Sequence, residues 1–327
     1  MKGAIIGGGF FAGFHMDAWQ RMPDVEIVAV VDTDAGCAKE FAEKWSVPRI
    51  YGDVREMIAL ERPDFVDIAT RPEAHLHLTA LAAAAKTNVI CQKPMAPTWE
   101  ESVAMVDVCR ENGVRLLMHE NWRWQPWYRE IQRRLPDLGS VHYLGFRMRT
   151  GDGRGSMPYP TQPYFAQMPR LLIYETLVHF IDTARYLLGE IDTVHCQTQR
   201  LNPAIAGEDA AQIHLRFAIG AVAVIDANRI NGKMPPPVAF GVALIEGSKG
   251  RISMSGEGDL RFDEVPIAFA KPTTGYKGDS ILAMQRHFVD CLRSGDRCES
   301  EGSDYLATVR TVFACYESAN LGEVVRL

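Results

Sequence analysis

A chain of 327 residues exceeds what one ordinary hydrophobic core holds, so two domains are expected. Its 47% hydrophobic and 23% charged composition suits a soluble globular protein. A formal charge of −6 argues against nucleic acid or an anionic membrane as partner, since both favour a basic patch. No apolar run approaches the ~18 residues of a membrane span. The opening "MKGAIIGGGFFAGF" imitates a signal peptide only faintly, because its glycines suit no helical core and no cleavage segment follows. Seven scattered cysteines without a C-x-x-C pair read as reduced thiols. They predict a cytoplasmic protein with neither a disulfide framework nor a metal site.

The first 120 residues alternate strand and helix. A short apolar strand, "KGAIIGG", runs into "GGGFFA", where Gly7, Gly9 and Ala12 match G-x-G-x-x-G/A. A helix over about Phe10–Met22 then aims its N-terminus at a pyrophosphate, and Phe10 and Phe11 at its start are assigned to the cofactor with Gly7, Gly9 and Ala12. The strand "VEIVAVVD" ends at Asp32, 25 residues after Gly7, where a carboxylate would accept from ribose hydroxyls and repel a 2′-phosphate. NAD is therefore favoured over NADP. The competing reading makes Asp32 the cap of the following helix, and Arg49 is a possible counter-charge. Helices near 34–45 and 53–60, a strand at 64–70, a helix at 73–85, a strand at 88–94, a helix at 98–112 and a strand at 114–120 continue the pattern. Such repetition predicts a doubly wound parallel sheet, with ligands beyond the C-terminal strand ends. Polar residues cluster at those ends: Thr70 with Arg71, Gln92 with Lys93, Glu120 with Asn121. Thr70, His75, Gln92, Lys93 and Asn121 are assigned to the cofactor. Lys93, leaving a buried strand before Pro94, is placed to hold a substrate oxygen and stabilise alkoxide charge.

From residue 121 to 327 the pattern becomes that of an α+β domain. An aromatic, basic segment and an alternating strand, "SVHYLGFRMRT", precede a Gly/Pro-rich loop. The apolar "YETLVHFID" follows, in which offsets of four and three put Glu175, His179 and Asp182 on one helical face, with Tyr186 above. A buried hydrogen-bond network is the bland explanation of that stripe. Extended runs between 190 and 254 predict an open, mostly antiparallel sheet, and two helices near 279–294 and 301–319 close the chain. One sheet face is left to be covered, which points to a homodimer or homotetramer.

The Rossmann half, "QKP", "HENWRWQ" and the E-x-x-x-H-x-x-D helix together resemble the Gfo/Idh/MocA oxidoreductase family over essentially the whole chain. More narrowly, "VICQKPMAPT", "HENWRWQ" and "QPYF" resemble its D-apiose dehydrogenase branch, which oxidises a branched pentose with NAD. The resemblance carries the family's catalytic set onto Lys93, Glu175 and His179. It matches Asn121 and Arg123 to a segment beside cofactor and substrate. Gln92 stands where glutamate is usual, and Glu175 where aspartate is usual. The implied chemistry is hydride transfer from a sugar or polyol hydroxyl to NAD. His179 takes the proton, Lys93 holds the oxygen, and Glu175 orients the ring or binds a second hydroxyl. Arg123 and Tyr164, with Arg149, Asp152 and Arg170, are the candidates for contacting the rest of a small-molecule substrate. Two other readings remain at this point: a non-catalytic NAD or sugar sensor, and an NAD-dependent glycosidase on the same fold.

Overall fold

The computed structural model describes residues 1–327, which separate into two units. The first comprises 1–124 and 273–309, the second 125–272 and 310–327.

In the first unit β1 (Lys2–Ile6), α1 (Ala12–Gln20), β2 (Glu26–Val31), α2 (Ala35–Trp45) and β3 (Arg49–Tyr51) form one half. The other half is α3 (Val54–Glu61), β4 (Phe65–Ile68), α4 (Pro72–Ala84), β5 (Asn88–Gln92), α5 (Trp99–Asn112) and β6 (Leu116–His119). The strands lie in the order β3-β2-β1-β4-β5-β6, all parallel, so the expected doubly wound sheet is present. The order reverses beside β1 and β4, and ligands of such sheets bind at that switch. The central strands are buried on both faces, which is why "IVAVV" reads as a continuous apolar run. β3, absent from the sequence expectation, is a three-residue edge strand too short to leave a period.

The boundary differs from a single cut at 120. Helix α8 (Ser280–Ser294) belongs to the first unit, where Met284, Phe288 and Val289 pack into the cluster of Trp19, Phe65 and Ile90. Its amphipathic pattern shows that one face is buried but not in which core.

The second unit contains α6 (Pro126–Arg134), β7 (Val141–Thr150), α7 (Val178–Leu188) and strands β8 (Ile191–Gln199), β9 (Ala210–Phe217) and β10 (Val222–Lys233). It continues with β11 (Val242–Gly247), β12 (Gly250–Met254), β13 (Leu260–Phe262) and β14 (Val265–Ile267). Helix α9 (Gly302–Leu321) and β15 (Val325–Arg326) end the chain. The sheet order is β14-β13-β12-β11-β7-β10-β9-β8-β15, antiparallel except where β7 and β10 pair in parallel. Alternation sends Leu144, Phe146, Met148, Ile213, Leu215, Ile225 and Ala227 into the core. No helix is long and apolar enough to cross a membrane.

Candidate functional site

The nucleotide end begins at the turn after β1. Gly7 has φ +98°, and a Cβ there would sit 2.8 Å from the Ala69 carbonyl oxygen, so backbone sterics demand glycine. A Cβ on Gly9 would meet nothing within 4 Å, which leaves that face of the loop open to an approaching group. Helix α1 starts at the buried Ala12, with no acidic residue in its first turn and no side-chain cap. Its positive end thus carries no competing anion, which is what a pyrophosphate requires. Asp32 accepts from Gly8 N–H on Oδ2 (2.8 Å) and from Asp34 N–H on Oδ1 (2.9 Å). Two bonds leave lone pairs on both oxygens for ribose hydroxyls. The capping alternative fails, because Asp34 is the residue that caps α2 through Gly36 and Cys37 N–H. Arg49 is engaged by Glu61, which also accepts from Tyr51 Oη at 2.6 Å. These features fit NAD. Phe11 and Phe14 pack on Tyr276 (ring centroids 5.5 and 4.9 Å), bringing the returning segment onto the glycine loop.

Lys93 follows β5, and its environment holds residues that the sequence did not mark. Buried Asp67 on β4 accepts from His15 Nδ1 (2.9 Å) and Trp19 Nε1 (2.7 Å). Because His15 Nδ1 donates there, its Nε2 is the acceptor for Gln92 Nε2 at 3.0 Å. Gln92 Oε1 in turn accepts the Lys93 backbone N–H at 2.7 Å. His119, at the end of β6, stacks on His15 with centroids 3.7 Å apart. Asp67, His15 and Gln92 therefore form a fully polarised chain ending at the catalytic candidate's backbone. An amide at position 92 suits this role because it donates on one side and accepts on the other. Glutamate would do both only when protonated.

His75 is fully buried, its Nδ1 facing Met95 O (3.0 Å) and Nε2 facing Thr70 O (3.1 Å). Burial lowers its pKa. A neutral imidazole carries one N–H, so one of these two carbonyls accepts from it, and the ring packs against the segment that carries Thr70.

Asn121 Nδ2 donates to Ser280 Oγ (2.7 Å), tying the end of β6 to the start of α8. Arg123 lies buried in the turn Trp122–Trp124. Next to them Glu120 is fully buried, accepting from Trp122 N–H (3.1 Å) and Tyr305 Oη (3.2 Å). Desolvation raises its pKa to about 7, against the opposing fields of Lys93 and Arg123. A carboxyl with a folded pKa above its unfolded 4.5 binds more protons when folded between those two values, so stability falls as pH rises from 4.5 to about 7. At 1.36 kcal/mol per unit the loss is roughly 3 kcal/mol. Glu120→Gln is expected to remove this slope: denaturant melts at pH 8 should show the variant more stable than the parent, and melts at pH 5 should not. Equal differences at both pH values would contradict it.

In the second unit the residues of the opening turn are not α-helical. Leu172–Leu177 form a π-turn, and α7 begins at Val178. The single-face expectation is corrected on this point. His179 and Asp182, both buried, keep the α-helical offset, whereas Glu175 lies across the π-to-α junction. Glu208 makes the wide turn tolerable by accepting from Leu171 N–H (3.1 Å) and Ile173 N–H (3.0 Å), while its backbone oxygen takes Leu172 N–H (3.2 Å). Tyr316 Oη donates to Glu208 (2.6 Å) and accepts from Tyr174 N–H (3.1 Å). All the first-turn donors are met. Glu208→Ala leaves three buried donors unmatched and should cost roughly 3 kcal/mol in a denaturant melt. A loss below a few tenths would show the turn needs no such cap.

Glu175 Oε2 accepts from Thr176 Oγ1 (2.6 Å) and lies 3.8 Å from Arg229 Nη1. Arg229, a charged residue within the alternating strand β10, is buried. Its Nη2 donates to Asp152 at 2.8 Å. Its guanidinium lies over Tyr159 (4.9 Å) and Phe165 (5.3 Å). Nη1 and the Tyr159 hydroxyl are buried without a hydrogen-bond partner. Beside the Glu175 carboxylate, these donors suit a ligand hydroxyl. Of the other candidates, Tyr164 Oη accepts from Gln162 Nε2 (3.0 Å) beside the same aromatic cluster. Arg149 is paired with Asp226 on the sheet (2.5 Å), and Arg170 stacks on Phe313 and Tyr316. Asp152 thus belongs with Glu175 and Tyr164, whereas Arg149 and Arg170 are held by other partners.

The signature of an oxidoreductase family with an NAD-binding Rossmann fold, Gfo/Idh/MocA, matches residues 1–120, and that of the Gfo/Idh/MocA C-terminal domain matches 136–253. The D-apiose dehydrogenase of Paraburkholderia graminis is 34% identical over 100% of this chain and 89% of its own length. That of Rhizobium rhizogenes is 33% identical over 99% and 97%. The solved structure of an oxidoreductase from Agrobacterium radiobacter in complex with NAD+, L-tartaric acid and magnesium superposes with a TM-score of 0.92. It is 34% identical and is covered over 100% of this chain and 98% of that one.

Proposed function

The chain belongs to the Gfo/Idh/MocA family of NAD-binding oxidoreductases, and on that premise we propose that it oxidises a hydroxyl of D-apiose or a related pentose. The whole-length similarity to two D-apiose dehydrogenases supports the substrate class. The observation that carries the catalytic reading is the anchoring of Lys93 through Gln92, His15 and Asp67. A lysine needed only for solubility has no use for a buried polar chain at its backbone.

Bound NAD supplies the hydride acceptor. The Lys93 ammonium holds the reacting oxygen and stabilises negative charge as its proton leaves. His179 accepts that proton, and Glu175 with Arg229 binds an adjacent hydroxyl. The alcohol loses one proton to the imidazole and one hydride to NAD, leaving a carbonyl. The outer face of the nine-stranded sheet is the docking surface for a second copy in this reading, giving a dimer or tetramer.

The test is NADH formation across a panel of D-apiose, other pentoses, a hexose and an inositol. Fastest turnover with D-apiose and NAD is expected, with NADP far weaker. No NADH from any member would end the proposal. Release of an aglycone from a glycoside without net NADH would transfer it to hydrolysis. A monomer by light scattering would remove the second copy.

A further inference from the structure

Helix α8 and the turn that follows it hold a cluster unconnected with hydride transfer. His287 and Cys291 lie four residues apart on α8, and the chain turns at Gly295 to bring Cys298 back beside them. One ligand atom from each residue lies within 4.8 Å of the others, and Cys291 Sγ is 3.5 Å from His287 Nε2. A tetrahedral zinc with bonds of about 2.3 Å to sulfur and 2.0 Å to nitrogen places those ligand atoms roughly 3.5 Å apart. We propose that His287, Cys291 and Cys298 bind a thiophilic transition-metal ion of the Zn2+ class, which fastens the turn after α8 to the edge of the nucleotide-binding sheet.

The surroundings are those of a built site. Both sulfurs are buried, and the imidazole is half-buried against Trp124, with ring centroids 4.8 Å apart. Glu299 N–H donates to His287 Nε2 at 2.8 Å, so the ring proton sits on Nδ1 and Nε2 carries the lone pair. A metal would replace that N–H as its partner. Arg115 holds the backbone in place, donating to the carbonyls of Cys291 (3.0 Å), Gly295 (2.9 Å) and Asp296. It also lies 3.5 Å from Cys298 Sγ, so the sulfur is held in place from the same side chain. A dication with two thiolates is neutral, and Arg115 is balanced by Glu301 at 4.0 Å, so the loaded cluster buries no net charge. Two thiolates and an imidazole select zinc-like or softer ions over magnesium or calcium. The turn they secure pairs with β6, through Met118 N–H to Ser300 O (3.0 Å) and the Leu117–Glu301 bridge.

The sequence expectation of no metal site rested on the missing C-x-x-C pair. Here the ligands come instead from one helix face and a turn seven residues on.

The experiment is Co2+ titration of the full chain after chelator treatment and thiol reduction. One equivalent per chain should develop a sulfur-to-cobalt charge-transfer band and tetrahedral ligand-field bands. Zinc at a hundredfold excess over its dissociation constant should raise the melting temperature by roughly 5 °C. Cys298→Ser and His287→Gln should each abolish the band, whereas Cys37→Ser, whose thiol lies elsewhere, should keep it. Should those variants fail to fold, X-ray absorption of the zinc-loaded parent still decides, with two sulfurs and one nitrogen expected. No band, a band untouched by Cys298→Ser, or oxygen-only coordination would overturn the site. A Cys291–Cys298 disulfide in the unreduced protein, with no cobalt uptake after reduction, would overturn it too.

Discussion

Replacing His179 with alanine should lower turnover by about 10²–10⁴-fold, the usual contribution of a positioned general base. NAD affinity should hardly change. His179 lies in α7 of the second unit, whereas the glycine turn, the α1 N-terminus and Asp32 are in the first. Stopped-flow turnover with NADH fluorescence reads the first quantity, and a thermal shift with NAD alone reads the second. Loss of NAD binding together with turnover would mean that the variant disturbs folding more widely. Unchanged turnover would remove His179 from the proton path. The imidazole has a feature that sharpens the test, since it is buried on a helix that is buried almost all round. A polar ring in such a place requires partners, and alanine leaves a cavity as well as a missing base. His179→Gln keeps volume and hydrogen bonding, so a comparably slow His179→Gln would assign the loss to proton transfer.

The second large effect is expected at Asp67. Its two oxygens receive only donors: His15 Nδ1 at both (3.0 and 2.9 Å) and Trp19 Nε1 at one (2.7 Å). Asparagine has nearly the same shape but presents an NH2 to one of them. With its oxygen at the Oδ2 position, which receives both Trp19 Nε1 and His15 Nδ1, its NH2 faces the His15 N–H from the Oδ1 side, donor against donor, and the charge that fixes the His15 tautomer disappears. The stability loss should be on the order of 3 kcal/mol. The error also propagates. A His15 ring protonated on Nε2 no longer accepts from Gln92, whose amide must turn and set its NH2 against the Lys93 N–H. Turnover should therefore fall on the order of tenfold or more through misplacement of Lys93, with little change in KM for NAD. Full stability and rate in Asp67→Asn would show that the chain of bonds does not position Lys93. Loss of stability at unchanged rate would confine it to packing.

Much of this arrangement was legible in the sequence, for reasons tied to particular residues. Gly7, Asp32 and the alternating segments to residue 120 have local signatures, because turns, strand ends and helix faces each impose a short period. The parts that were missed depend on distant pairing. Asp67 sits in the apolar strand "FVDI", and its partner His15 is 52 residues away, so no window contains both. Arg229 lies within an alternating strand, where a charged residue normally points to water. The π-turn at Leu172–Leu177 differs from an α-helix by one residue per hydrogen-bonded ring, and Glu208, which makes it possible, comes from a later loop. The cluster of His287, Cys291 and Cys298 left no sign because its members come from a helix face and a turn seven residues on. A hint was available for Glu120, which stands at a predicted strand mouth between histidine and asparagine, but only three-dimensional burial gives it a pKa near neutrality.

Helix α8 also bears on how the protein is made. Trp19 and Phe65 are covered by Met284 and Phe288, so the first 124 residues emerge from the ribosome long before the side chains that complete their core. During that interval the nascent sheet presents uncovered aromatic surface and must wait for more than 150 further residues to be translated. A chain ended at Trp124 would stay in that state permanently. Fragments of this length are therefore expected to aggregate or bind chaperones, and circular permutants that carry 273–309 ahead of Met1 to mature faster.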